Sequence, residues 1–463
     1  MSGDAENEYF SDGVSEEILN VLARTPDLRV AARTSSFAFK GQAKEIPDIA
    51  RELEVRMVLE GSVRKQADRV RITAQLIDAE KGFHLWSQTY DRELKDIFAI
   101  QDEIAQAIAR ELDVKLGGAR TDGAAPADTP DLEAYDLYLK GLALWQARGE
   151  PNLREADRLF RAALAIDPDM ARAWAGLALT YAILPEWSAE TTAASYPVAR
   201  DAAEHAFAID PDLPEPHAVL GYVAYAEFRF ATGRAMFERA LALAPSFATG
   251  YQWFGESLAI DGDYAGALPI LRKAVALDPK APVVRNGYAY TLFNSGADDE
   301  AMAVCETILA DAPDWTGCRL LRFDHALLRK DPMGARAELQ RMAARRGPEA
   351  VAFADAMMDP LDGTGDADAV AARLAAMPDG FKDPGSPTPL GAPDAMHWFM
   401  AIGRNDLALE RFARYARELP HLARIFAFDV HYESLRCEPG FQDTLLALKV
   451  EPARAAKLCA EGG

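Results

Sequence analysis

Residues 251–279, YQWFGESLAIDGDYAGALPILRKAVALDP, decide the fold. Tyr251, Phe254, Gly255 and Leu258 fall at helical spacing, Ala267, Leu271 and Ala274 do so again, and Pro279 closes the stretch. Apolar residues at i, i+3, i+4 and i+7 mark one face of an amphipathic helix, so the stretch reads as two helices. Proline stops the second helix, because it has no N–H and its ring clashes with the preceding turn.

The same ending returns along the chain. Ala208-Ile209-Asp210-Pro211, Ala242-Leu243-Ala244-Pro245, Ala276-Leu277-Asp278-Pro279 and Ala310-Asp311-Ala312-Pro313 place their prolines 34 residues apart three times running. An earlier Ala165-Ile166-Asp167-Pro168 lies 43 residues before Pro211, an excess that fits an insertion around Leu184 to Tyr196. Inside the period the apolar and small residues repeat too: Leu220, Gly221, Ala224, Gly233, Phe237 and Ala240 in one unit, Trp174, Leu177, Tyr181, Ala199, Ala203 and Ala206 in another. Small residues stand where the two helices of a unit approach closely. These positions resemble the tetratricopeptide repeat, built on Trp, Leu-Gly, Tyr, Ala, Phe, Ala and Pro at set places. The first unit, about 134–168, and the sixth, about 315–348, are degraded, as terminal repeats often are. One unit cannot bury its own apolar face, so five or six stack into a superhelix.

Such an array serves as a scaffold or presents a groove lined by the first helix of each unit. Projecting the period onto this sequence gives Arg172, Glu215, Tyr222, Tyr225, Gln252, Glu256, Asn286, Tyr290 and Asn294 as candidate lining residues. Tyrosine offers large contact area at low entropy cost, and amides read a peptide backbone. Each of these residues also has a plain reading as packing or solvated surface. The groove lacks the Lys pattern with which one subclass of the family holds a carboxylate.

Residues 1–116 follow another pattern. Ser15-Glu16-Glu17-Ile18-Leu19 reads as a capped helix start with early acids, Leu28 to Thr34 as a strand, and Ile46 to Leu53 as a short helix. Met57 to Arg64 and Arg69 to Ile77 read as strands with a turn near Gln66-Ala67-Asp68, and Phe83 to Tyr90 as a third. On the second, Val70, Ile72, Ala74 and Leu76 alternate with Arg69, Arg71, Thr73 and Gln75. Ile97, Ile100, Ile104, Ile108 and Leu112 make one stripe on a long helix. Arg33-Thr34-Ser35-Ser36 reads as an anion cradle or as a turn capped by hydroxyls.

Tyr9-Phe10-Ser11-Asp12-Gly13, Arg33-Thr34-Ser35-Ser36-Phe37, Val58-Leu59-Glu60-Gly61-Ser62-Val63-Arg64 and Leu85-Trp86-Ser87-Gln88-Thr89-Tyr90-Asp91-Arg92 resemble the bacterial TolB amino-terminal-like, or FlgO-like, α/β domain. The resemblance implies a mixed sheet whose first strand, placed before Met1 in relatives, is missing here. It also implies a fusion order. In similar bacterial proteins this domain and a tetratricopeptide array follow a class III adenylate/guanylate cyclase domain or a winged-helix DNA-binding domain. An envelope-associated assembly factor is a further alternative, with a periplasmic location if a membrane segment lies upstream.

The fold class expected is therefore α+β: a small α/β domain at 1–116, a flexible linker at 117–130, an all-α solenoid at 131–348, and a degenerate repeat-like helical region at 349–463. Gly117 to Thr129 and Gly380 to Pro393 are dense in Gly, Pro, Ala and Asp and read as a hinge and a loop. Ala395 to Ile402 and Asp406 to Glu418 read as a further helical hairpin, and the tail as a cap on the array.

Chemistry is sparse. Walker, zincin and nucleophile-elbow motifs are missing. His84, His205, His217, His325, His397, His421 and His431 show no ligand spacing. Cys305, Cys318, Cys437 and Cys459 have no C-x-x-C spacing; Cys305 and Cys318, on neighbouring helices, read as small buried residues. Asp298-Asp299 reads as a solvated helix cap. No catalytic residue, metal or cofactor is expected. Hydrophobic residues make 49% and charged residues 26% of the 463, an ordinary globular composition. The net charge of −22 repels phosphate backbones, so no nucleic-acid partner is expected, and no apolar run reaches membrane-spanning length. Only about −6 of that charge lies in 1–116. The expectation is a cytoplasmic, non-enzymatic interaction and regulatory module whose groove takes a basic or neutral protein or peptide segment.

Overall fold

The computed structural model describes residues 8–66, 69–112, 131–188, 190–377, 390 and 392–461. The turn at Ala67-Asp68, the 117–130 linker, nearly all of the Gly380 to Pro393 loop and the start at Met1 lie outside these residues. The chain divides into two compact units. The first spans Met1–Ala224, Phe230–Trp253 and Lys273–Ala281; the second spans Tyr225–Arg229, Phe254–Arg272 and Pro282–Gly463.

The chain opens with helices α1 (Glu8–Ala23), α2 (Arg33–Phe37) and α3 (Ile46–Glu52), strands β1 (Met57–Gln66), β2 (Arg69–Asp78) and β3 (Phe83–Glu93), and helix α4 (Ile97–Glu111). Six helix pairs follow: α5 (Leu132–Ala147) with α6 (Glu150–Ile166), α7 (Ala171–Trp187) with α8 (Thr192–Ile209), α9 (Pro214–Ala226) with α10 (Phe230–Leu243), α11 (Ala248–Ile260) with α12 (Tyr264–Leu277), α13 (Pro282–Asn294) with α14 (Asp298–Asp311), and α15 (Thr316–Leu328) with α16 (Pro332–Ala344). Then come α17 (Pro348–Met358), α18 (Ala367–Ala376), α19 (Ala392–Ala401), α20 (Asn405–Glu418), α21 (Pro420–Ala423), α22 (Pro439–Ala447) and α23 (Pro452–Glu461). Among the described residues, no helix is long and apolar enough to cross a membrane.

The sheet has the order β1-β2-β3 and both pairings are antiparallel, with Ile72 opposite Val63 on one side and Tyr90 on the other. The mixed sheet expected from the resemblance is thus not seen among the described residues; short connections join these strands as hairpins, which forces antiparallel neighbours. The alternation on β2 works as read. Val70, Ile72, Ala74 and Leu76 are buried, and α4 covers that face with Ile97, Ile100, Ile104 and Ile108. Phe10, Val14 and Ile18 of α1 join this core.

Two local expectations fail. Glu8 to Ala23 is already helical, so Ser15 is not a cap; its hydroxyl lies inside the helix and donates to the Ser11 carbonyl at 2.8 Å. Leu28 to Thr34 is no strand of the sheet, and its backbone pairs with the repeats instead.

In the repeats of the first unit, helices approach through glycine. A Cβ on Gly176 of α7 would stand 2.6 Å from the Phe160 ring, and one on Gly141 of α5 would stand 2.8 Å from it. The second unit has its own core of Phe323, Phe353, Trp398, Phe399, Phe412 and Phe441, with the Trp398 indole N–H donating to the Met357 carbonyl at 3.0 Å. Cys305 and Cys318 are buried thiols. Cys437 and Cys459, which show no motif, form a disulfide that ties α23 to the segment before α22.

Candidate functional site

In the first unit, helix α1 lies on the face made by the first helices of successive repeats. Its apolar side faces the sheet and α4, yet it also carries two adjacent acids, Glu16 and Glu17, that are buried. Two buried carboxylates are costly unless paired. The repeats and α2 supply the partners. Arg172 Nη1 of α7 lies 2.5 Å from Glu17 Oε2, and the Tyr138 hydroxyl of α5 donates to Glu17 Oε1 at 2.9 Å. Gln146 Nε2 donates to Glu16 Oε1 at 2.8 Å, and Arg33 Nε pairs with Glu16 Oε2 at 2.9 Å.

The chain after α1 continues along the same face. The Ser246 hydroxyl donates to the Leu28 carbonyl at 2.9 Å and accepts from the Val30 amide at 3.2 Å. The Ala32 amide donates to the Leu277 carbonyl at 2.8 Å. Ser35 then docks on Asp278, the acid of the Ala-Leu-Asp-Pro ending: amide and hydroxyl both donate to Oδ1, at 2.9 and 2.5 Å. The polar run at Arg33 to Ser36 thus holds a carboxylate of the chain itself, Asp278, and the Ser36 hydroxyl donates to the Ala31 carbonyl at 3.3 Å. It is a contact with the repeats.

A cleft of about 110 Å³ remains beside α1, bordered by Glu16, Glu17, Arg24, Arg172, Glu215 and Asp278 among others. Burial pushes the Glu16 carboxyl up to about 7 against the pull of Arg33. Burial also raises Glu215, which Arg24 draws back toward its charged form. Burial works to lower Arg172, but Glu17 overrides it and the guanidinium ends above its ordinary value. Charged side chains of both signs thus border the cleft. Among the described residues, no group of three or more His, Cys, Asp or Glu could hold a metal ion.

The nine candidate lining residues divide between the units. Arg172, Glu215, Tyr222 and Gln252 lie in the first, and Tyr225, Glu256, Asn286, Tyr290 and Asn294 in the second. Arg172 and Glu215 come together in the cleft. Tyr222 is buried, donates to Glu186, and packs its ring 5.1 Å from Trp253 and 6.3 Å from Tyr196. Gln252 and Tyr225 are buried as well.

In the second unit, Glu256 sits against Gly287, where a Cβ would run into its carboxylate. The Cys318 thiol donates to Asn286 Oδ1 at 3.5 Å, and the Tyr290 hydroxyl to the Gly317 carbonyl at 3.4 Å. Asn294, with its amide turned to suit its neighbours, donates to the Tyr290 carbonyl and to Asp429 Oδ2, each at 3.3 Å. Here the C-terminal segment lies on the repeats. His431 bridges Asp429 at 2.8 Å and Asp298 at 3.3 Å and stacks on Phe293 at 4.1 Å. Asp298, read as a solvated cap, is thus partnered. His397 stacks on Tyr432 at 4.7 Å beside Asp324, and burial pushes its imidazole down to about 4.

Sequence reasoning misses Glu16, Glu17, Tyr138, Ser246 and Asp278 as contact residues. The available signal is an adjacent acid pair beside the apolar Val14 and Ile18 of the same helix, which a helix start at Ser15 explains away.

A family model for the tetratricopeptide repeat matches residues 258–322. Residues 258–322 thus carry tetratricopeptide repeat sequence. A segment of 179 residues is 45% identical to "Putative adenylate cyclase 3" of Rhizobium meliloti (strain 1021), covering 39% of this chain and 30% of that protein. The match thus spans under a third of that relative's length. Among solved structures, PilW, a type IV pilus biogenesis factor, is similar at 19% identity and a TM-score of 0.37, over 45% of this chain and 91% of that one. A tetratricopeptide protein of Thermus thermophilus is similar at 23% identity and a TM-score of 0.35, over 40% and 95%.

Proposed function

We propose that this protein is a non-enzymatic interaction and regulatory module whose repeats bind a protein or peptide segment on the face of their first helices. The observation that carries this reading is the grip of the first-unit repeats on α1 and residues 28–35: one buried ion pair, hydrogen bonds from Tyr138 and Gln146, and backbone pairing at Ser246 and Leu277. A face that recognises a helix and an extended strand so specifically suits a linear protein ligand. The α/β segment at 1–116, resembling the TolB amino-terminal-like domain, couples binding to an effector. A photo-cross-linking residue at Ala175, which lines the cleft, tests this in cells. Discrete adducts with another polypeptide, lost when Arg172 is changed to Ala, are expected; adducts within the chain alone would overturn it.

A second reading makes the chain the regulatory part of a nucleotide cyclase system, favoured by the 45% identity to the Rhizobium meliloti protein. It places the catalytic acids outside these residues. Cyclic AMP made from ATP by the purified chain alone would contradict it.

A further inference from the structure

The overall charge of −22 favours a basic ligand, but the occupied face of the first unit selects the opposite. Towards α1, the repeats offer a guanidinium at Arg172, a hydroxyl at Tyr138 and an amide N–H at Gln146, all donors, all aimed at carboxylates. One step along the face the repeats offer a carboxylate, Glu215, and there Arg24, the residue after α1, draws it toward its charged form. Glu17 and Arg24 are seven residues apart, and both border the cleft. The complementarity is thus patterned: acid pair against donors, then base against acid.

We propose that α1 with the following Leu28–Phe37 segment is a built-in occupant of this face, and that the external partner is an amphipathic helix bearing an adjacent acid pair and a base seven residues further on, just past its end, which takes the face in its place. This rests on the interaction reading above and names the partner for that same site. Two features favour exchange over a permanent join. The contact sets a buried ion pair and side-chain hydrogen bonds beside apolar packing such as Gly13 on Leu139, a more polar mix than a core join. The fit also leaves a cleft beside the acid pair, in which the buried Glu16 is held far from its ordinary ionisation. A core contact of the same area would be apolar and closed.

The test uses the full chain and a labelled peptide with the sequence of residues 8–37. The wild-type chain binds the peptide weakly, because its own α1 competes. Glu17→Arg, which spoils the internal occupant and leaves the repeats intact, is expected to bind it about tenfold tighter or more. Adding Arg172→Glu to that chain abolishes binding, and a peptide with both acids changed to Ala is not bound. Should Glu17→Arg fail to fold by circular dichroism, Glu17→Gln, equal in volume, reads the same competition. Equal affinity for wild-type and folded variant chains, or undiminished binding of the Ala peptide, overturns the proposal. If the Ala175 cross-linker still captures a partner in that case, the interaction reading stands and only the acid-pair partner falls. Loss of both results overturns both.

Discussion

Glu17 keeps only 2% of its side chain exposed, and Arg172 and Tyr138 meet both of its oxygens. Removing one member of such a pair strands the other in a poorly solvated site. Arg172→Ala should therefore cost about 3–5 kcal/mol in urea unfolding, and the Arg172→Ala/Glu17→Gln double variant clearly less. Glu16 makes a pH statement. Its folded pKa of about 7 stands above that of an unfolded carboxyl, so the folded chain holds the proton more tightly. Its contribution to stability falls as pH rises from the ordinary carboxylate range through about 7. Glu16→Gln should flatten this slope, raising the melting temperature relative to wild type at about pH 8 and hardly at about pH 5.5. At this scale the sequence was least legible. The acid in Ala-Leu-Asp-Pro reads as a helix end, and only the fold brings Ser35 to it across 243 residues.

Elements were legible where period and burial agree. Strand β2, helix α4 and the repeat helices follow from alternation and stripes, since each buries one face; β1 and β3 were read from the same alternation, though they bury only Val63 and Tyr90. Residues 28–34 failed for the opposite reason: an extended segment alternates whether its amides pair with a sheet or with Ser246 and Leu277. Close approach was legible as small residues. Gly176→Ala drives a methyl into the Phe160 ring and should cost about 1–3 kcal/mol by thermal melting. Gly440→Ala, whose Cβ would have no neighbour nearer than 3.8 Å, should stay within about 0.5 kcal/mol of wild type. The C-terminal helix α23 is held twice, by the Cys437–Cys459 disulfide and by Arg454, whose guanidinium reaches Asp261 Oδ1 at 3.0 Å. Thiol labelling of the denatured, unreduced chain should find two reactive cysteines, Cys305 and Cys318, and reduction should expose all four. Reduction should cost about 3 kcal/mol of stability, as expected for a bridge of this loop length.

For the molecule as a whole, a net charge of −22 predicts no retardation of duplex DNA by the chain at about 0.1 M salt in an electrophoretic assay. The same number misleads about the protein ligand, because a sum over 463 residues says nothing of the few that face one helix. By itself the sequence determined the class of fold: a 34-residue period of paired helices can bury its stripes only by stacking, and alternating strands only by covering one face. Tertiary structure alone decided what lies on the repeats. A helix amphipathic toward its own sheet gives no sign, in period or composition, that its polar side also has a partner. That partner is set by folding distant segments together, where desolvation turns Glu16, Glu17, Arg172 and Asp278 from surface charges into a specific contact.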